Sequence, residues 1–415
     1  MTNKIIKPLA LTILTGALLI SAFQAHAANT AMMELIEILH NKGSITLDEY
    51  ELLKKAAIAD QATTTATREE LKQDVENEFT VAAKKMDGAA WATKVNLKGD
   101  VRVRYQAQDN DPGSARDRER IRYRLGITAL PTVGWEVGAG LASGLSDLRS
   151  TNQTFTDTFS KKPVNLDYAY VQHKFNDKLK LITGKFKFPA YLYTSSDLMW
   201  DSDINPEGIS ANFSHKSDLG TSFANSGYWV LTENGGSDND PYLIYGQLGQ
   251  NFATGNIFGA VTGSYYTFEE NTALGAFPTT GSNSDFHFSG IYSVSAEFGL
   301  SDLSGTGTRA SIIADWVTNS DTLSTEDSGY LIGLKAAQGP WSFRYAYAEL
   351  ELNAWPDILP DSDRFEGLTG ISGHELVLEY ELMTNVLLGL DYYASKNNIT
   401  DTDQDLLQVD INVRF

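Results

Sequence analysis

Leu406-Leu407-Gln408-Val409-Asp410-Ile411-Asn412-Val413-Arg414-Phe415 decides the fold. Leu407, Val409, Ile411, Val413 and Phe415 point one way, and Gln408, Asp410, Asn412 and Arg414 point the other. That period of two belongs to a strand with one apolar face. The same period runs back along the chain to about Lys94. Val95, Leu97, Val101, Val103 and Tyr105 alternate with Lys98, Asp100, Arg102, Arg104 and Gln106. Ile121, Tyr123, Leu125 and Ile127 alternate with Arg120, Arg122 and Arg124. Phe286, Phe288, Tyr292, Val294, Ala296 and Phe298 share a face, and Leu376, Leu378, Tyr380 and Leu382 oppose Glu375, Glu379 and Glu381. Tyr168 to Val171, Phe223 to Leu231, and Leu350 with Leu352 do not declare a phase.

Sixteen such segments are expected, beginning near Lys94, Asp117, Val133, Pro163, Lys178, Glu207, Gly220, Pro241, Asn256, Asp285, Thr308, Ser328, Pro340, Ser372, Asn385 and Asp405. The connections alternate in length. Pro131-Thr132, Asn176-Asp177, Ala253-Thr254-Gly255, Gln338-Gly339 and Thr384-Asn385 are short. Gly144 to Lys162, Pro189 to Pro206, Glu269 to Ser284, Asn353 to Ile371 and Lys396 to Gln404 are long. Short turns at one end and long loops at the other mark a closed membrane barrel with both chain ends in the periplasm. A soluble sandwich has no reason to sort its loops by parity.

The N-terminus fits that reading. Lys4 and Lys7 precede an apolar run from Leu9 to Phe23, and Ala25-His26-Ala27 offers a small-x-small cleavage site. Residues 1–27 are expected to be a secretory signal peptide. No later stretch approaches the ~18–20 apolar residues of a spanning helix, so the route left for crossing a membrane is a barrel. Residues 28–93 read as helix. Leu35, Ile36 and Leu39 recur at helical spacing, Thr46 with Glu49 and Thr67 with Glu70 make capping boxes, and Leu71, Val75, Phe79, Ala82 and Met86 form a narrow stripe. A periplasmic helical or coiled-coil segment is expected there, followed by the all-β transmembrane barrel over 94–415.

Composition excludes several classes. There are no cysteines, which removes disulfide scaffolds and thiolate chemistry. The formal charge is −20; without Lys4 and Lys7, 31 basic face 53 acidic residues, or −22. Nucleic-acid binding needs the opposite sign. His40, His173, His215, His287 and His374 sit in no catalytic or metal-ligating motif, so no enzyme, cofactor or metal centre is expected. Aspartates cluster at Asp109 to Asp111, Asp238 to Asp240, Asp361 to Asp363 and Asp401 to Asp405. These are expected as external-loop charge, solvated or bridged by divalent ions to lipopolysaccharide; the last lacks the glycine and distal glutamate of an EF-hand.

Arg or Lys facing lipid at the midplane costs roughly 2–4 kcal/mol, so charged faces must point inward. Arg102, Arg104, Arg120, Arg122 and Arg124, with Lys185 and Lys187, are the expected pore-lining bases, joined further round by Lys335 and Arg344. The alternative is that the arginines pair with Asp100, Glu119 or Glu136 and hold the interior together. The third long-end loop carries Tyr191, Tyr193, Asp197, Trp200, Asp201 and Asp203, with Glu207 just beyond. Folded inward, it would narrow a wide lumen and set acidic charge against the basic wall. The alternative is an external cap with solvated acids.

The chain's end on Phe415 resembles the C-terminal signature that the insertion machinery reads in outer-membrane barrels. Arg116-Asp117-Arg118-Glu119-Arg120-Ile121-Arg122-Tyr123-Arg124, Gly184-Lys185-Phe186-Lys187-Phe188-Pro189 and Trp200-Asp201-Ser202-Asp203-Ile204-Asn205-Pro206-Glu207-Gly208 resemble a putative-porin family of Gram-negative bacteria. The resemblance implies a porin barrel in the outer membrane and a homotrimer, and it names no solute. The function expected is passive diffusion of small hydrophilic solutes and ions. Two other readings stand beside it. One is a solute-specific channel, for an anion at the arginines or for a sugar stacked on Tyr191, Tyr193 and Trp200. The other is a structural barrel that tethers the envelope, with residues 28–93 contacting peptidoglycan or another periplasmic partner.

Overall fold

The computed structural model describes residues 37, 42, 50–55, 94–233, 235, 240–269 and 281–415. The chain divides into two units, Met1–Thr93 and Lys94–Phe415. In the first, residues 50–55 are helical; the expected signal peptide and most of the expected helical segment lie outside the described residues.

The second unit is a closed barrel of sixteen antiparallel strands. In chain order they are β1 (Val95–Asp111), β2 (Arg116–Ala129), β3 (Trp135–Ser143), β4 (Val164–Lys174), β5 (Leu179–Lys185), β6 (Glu207–Ser217), β7 (Gly220–Val230) and β8 (Tyr242–Thr254). Then come β9 (Ile257–Glu269), β10 (Ile291–Leu300), β11 (Arg309–Asn319), β12 (Ser328–Gln338), β13 (Trp341–Leu350), β14 (Ile371–Met383), β15 (Val386–Asn397) and β16 (Thr402–Arg414). Each strand pairs with its sequence neighbours, and β1 pairs with β16 from Asp100↔Arg414 to Asp111↔Asp403. Closure leaves no free edge, so the ladders of backbone hydrogen bonds run round the whole ring. At the seam Phe415 exchanges backbone hydrogen bonds with Gly99 (2.8 and 2.9 Å). Its ring lies where a side chain on Gly99 would stand.

The outer face is apolar because its solvent is lipid. Leu97, Val103, Leu248, Val261, Ile312, Ile332 and Ile411 are all exposed. Aromatic pairs ring both ends: Tyr228–Tyr242, Tyr265–Tyr292 and Tyr330–Tyr347 at the long-loop end, Trp135–His173 and Trp341–Tyr380 at the short-turn end. Paired girdles of this kind mark the two membrane interfaces.

The strand count and most starts match the alternation. Three details differ. β10 begins at Ile291, not near Asp285, and Phe286 and Phe288 are not part of its outer row. Phe288 is buried and accepts the Phe268 N–H, while Phe286 stays exposed. β4 carries a bulge: Gly140 pairs with Tyr168 and Leu141 with Leu166, so Asp167 is the extra residue. Finally, the loop after β3 returns a two-residue strand, Gln153–Thr154, onto Arg120 and Ile121 of β2, extending the wall where β3 has ended.

Candidate functional site

Alternation places Asp100, Arg102, Arg104 and Gln106 of β1 on the inner face opposite Arg124, Arg122, Arg120 and Arg118 of β2. Like charges directly across a strand pair repel, and carboxylates from several elements offset this. Arg104, 2% exposed, takes both oxygens of Asp410 on β16 at 2.7 Å and approaches Asp363 (3.4 Å) and Asp391 (3.7 Å). Asp100 receives Arg122 (2.8 Å) and Arg124 (2.7 Å), and Arg124 also reaches Asp203 of the third loop (3.1 Å). Arg102 meets Asp410 at 3.6 Å. The pairing alternative is therefore realised for Asp100, but with Asp203, Asp363 and Asp410 in place of Glu119 and Glu136.

β5 stops after seven residues because a short 3₁₀ turn, Phe188–Ala190, carries the chain inward. The loop 186–206 then crosses the barrel. Lys335 on β12 donates to Ser195 O (3.1 Å), Ser196 hydrogen-bonds Asp315 on β11, and Asp197 meets Arg344 (3.5 Å) on β13, eight strands from β5 in a ring of sixteen. Its apolar side chains pack on the inner wall. Trp200 contacts Trp229 (5.3 Å), Phe188 (5.8 Å) and Trp355 (5.4 Å), in a core with Phe186, Tyr245, Tyr266 and Phe268.

A second loop, 351–370, meets it there. Arg364, fully buried, bridges Asp197 (3.2 Å) and Glu375 (2.8 Å), and Arg344 also pairs with Glu375. Asp201 N–H donates to Leu359 O (2.8 Å), and the Asp201 carboxylate accepts the Asp203 N–H (2.8 Å) and the Ser362 N–H (3.0 Å). Burial, and then the neighbouring Asp203, push the Asp201 carboxyl up to about 8. Burial, and then Asp197, push Asp361 well above the carboxylate range. Burial would raise Asp197 too, but Arg344 and Arg364 outweigh it and hold this carboxyl low.

The expected residues thus fall into separate sets. Arg102, Arg104, Arg120, Arg122, Arg124 and Asp203 come together on the inner wall, Lys187 borders a cavity that Asp100 and Arg124 line, and Asp197 lies across the ring with Arg344 and Arg364. Lys187 lies 4.0 Å from Asp167 and over the Tyr168 ring. Lys185 and Glu207 border a cavity that Asp167, Trp200 and Asp203 also line. They pair with each other (2.9 Å) where β5 meets β6. Tyr191 and Trp200 are 1% and 3% exposed, so neither offers a ring face for stacking; Tyr193 is half-buried and held by Gln247 through both its N–H and C=O. The expected solvated cluster Asp361 to Asp363 is inside the barrel as well, because the loop that carries it folds in. Asp238 lies outside the described residues. Among the described residues no group of three or more His, Asp or Glu side chains converges on a metal site.

Asp167, Asp363, Arg364, Glu375 and Asp410 join the site although none was expected there. Asp410 was legible, being on the polar face of the last strand. Asp167 reaches the interior only through the bulge, and Asp363 and Arg364 only through the fold of a loop. Asp167 lines both of two cavities. One, of about 620 Å³, is bounded by Asp147, Ser150, Trp200 and Asp203. The other, of about 630 Å³, is bounded by Asp100, Arg124, Lys187 and Arg414 toward the short-turn end.

A family model described as "Putative porin" matches residues 109–288 and 309–415, more than half of the chain. The chain belongs to this porin family. The barrel is therefore an outer-membrane channel through which small hydrophilic solutes diffuse passively, and family and fold are those of a channel rather than an enzyme. No curated protein matches this porin. Among solved structures it is similar to a double mutant of the Rh. blastica porin, with 14% identity over 77% of this chain and 100% of that one and a TM-score of 0.47. A triple mutant of Rhodopseudomonas blastica porin gives 13% identity, the same coverage and a TM-score of 0.46.

Proposed function

We propose that solutes cross this porin beside an inward third loop, through a passage edged by the β1–β2 arginines. The observation that carries this is the Asp197–Arg344 contact, which spans the ring from the third loop to β13. Behind that loop the lumen is filled by packed aromatics, which leaves the charged side for water and solute. There the acids and bases face one another at close range, and a polar solute aligns in their field while an apolar one must disrupt ordered water.

Homotrimer assembly and contact with lipopolysaccharide belong to the same reading. Asp401, Asp403 and Asp405 at the long-loop end support divalent bridging to lipopolysaccharide. Residues 1–27 act as the signal peptide and 28–93 as a periplasmic segment.

Single-channel recording of the mature protein in a planar bilayer under a salt gradient tests it. Ohmic steps, in threes for a trimer, are expected. A folded barrel without steps would refute the open passage.

A further inference from the structure

The arginines of the inner wall are not equally satisfied. Arg104, Arg122 and Arg124 have carboxylates at 3.1 Å or closer. Nearer the long-loop end the pattern changes. Arg118 donates to Gln108 Oε1 at 3.4 Å; Arg120 donates to Gln106 Oε1 at 3.0 Å and to Ser150 Oγ at 3.4 Å. Neither has a carboxylate within ion-pair distance among the described residues. Arg102, one step diagonal to Arg120, donates to Asn152 Oδ1 (2.8 Å) and has only the long contact to Asp410. All three have a buried Nε–H with no acceptor among the described residues. A buried donor without an acceptor keeps its full desolvation penalty, and the penalty is larger on a charged group.

The carboxylates facing this group are committed elsewhere. Asp410 is taken in bidentate fashion by Arg104. Asp363 accepts from Arg104 and Gln408, Glu366 from Gln108, and Asp147 from the Arg149 N–H. Ser150 and Asn152, on the loop after β3, supply neutral oxygens where an anion would sit, and that loop is anchored by the Gln153–Thr154 strand.

We infer that Arg102, Arg118 and Arg120, with Ser150 and Asn152, form a binding station for a small oxyanion, the carboxylate or phosphate group of a permeating solute. An oxyanion with two or three acceptor oxygens displaces the weaker amide and hydroxyl acceptors from the Nη groups, and the guanidinium shift that follows brings the idle Nε–H groups to it. This rests on the porin reading, and it adds saturable recognition to passive flow.

The test uses the full-length mature protein, with inorganic phosphate and succinate as probes in a chloride background. Block of single-channel current is recorded in bilayers, and binding heat is measured on the detergent-solubilised barrel. Both probes are expected to block saturably. Arg118→Gln/Arg120→Gln should raise the half-blocking concentration about tenfold or more, as expected for the loss of charge-assisted hydrogen bonds. Should that variant not fold by circular dichroism, Arg118→Lys/Arg120→Lys replaces it, keeping the charge but removing the Nε–H donors, with a smaller rise expected. Block by one probe alone supports the station and identifies its oxyanion. Open channels with neither block nor heat overturn it, as does block unchanged in the variants. Heat without channel steps would instead refute the porin passage and leave the station standing.

Discussion

Arg104 and Asp410 sit on neighbouring strands, β1 and β16, and join them across the seam where the barrel closes. Their paired hydrogen bonds hold a 2%-exposed guanidinium in place. Removing one partner of a buried ion pair leaves an uncompensated charge. Asp410→Ala should therefore cost on the order of 3 kcal/mol, read as a lower urea midpoint for the detergent-folded barrel. Asp201 gives a pH dependence. Its carboxyl is held up at about 8, against an ordinary 3.8, so the folded state keeps a proton that the unfolded state loses. Its contribution is complete below about pH 4 and is lost as pH rises through about 8. The thermal midpoint should fall over that window and level off above it, and Asp201→Asn should flatten the fall. An equal slope in the variant would show that other groups set the pH response.

At the scale of elements, the two inward loops stand or fall together, because they share one core. Trp200 of the third loop packs against Trp355 of the loop before β14, and Arg364 of that loop holds Asp197 of the third. Trp200→Ala removes one of the two indole rings of this contact, and a large-to-small change in a packed core costs roughly 3–5 kcal/mol. The expected result is a larger, noisier single-channel conductance with the barrel still folded; conductance equal to the wild type would mean that the loops hold without it. The shared core also explains the segments whose phase the sequence left undeclared. Trp229 of β7 and Leu350 of β13 point inward yet are apolar, because a loop covers them instead of water. Around Tyr168 the β4 bulge shifts the phase by one residue. Alternation fades where the lumen is dry and slips where the ladder gains a residue.

For the whole molecule, barrel and N-terminal unit are separable in what they should do. Every strand of the closed ring lies within Lys94–Phe415. Deleting residues 28–90 is expected to leave conductance steps unchanged while altering attachment of the envelope, measured by co-sedimentation with peptidoglycan. A channel silenced by the deletion would assign this segment to permeation.

The sequence by itself determined the barrel: strand number, which face meets lipid, and which connections are long. Those features follow from the solvent on each side of a strand, and solvent acts on each residue locally. It also placed five arginines on one inner wall. Only the tertiary structure decided which charges meet. Asp203 reaches Arg124, Asp363 reaches Arg104, and Arg364 bridges Asp197 and Glu375, each through a loop whose path no period records. It also decided that Lys185 pairs with Glu207, that Trp200 is core, and that Arg118 and Arg120 have no carboxylate at ion-pair distance among the described residues. Pairing depends on where loops land after closure, a consequence of long-range packing that alternation along one strand does not carry.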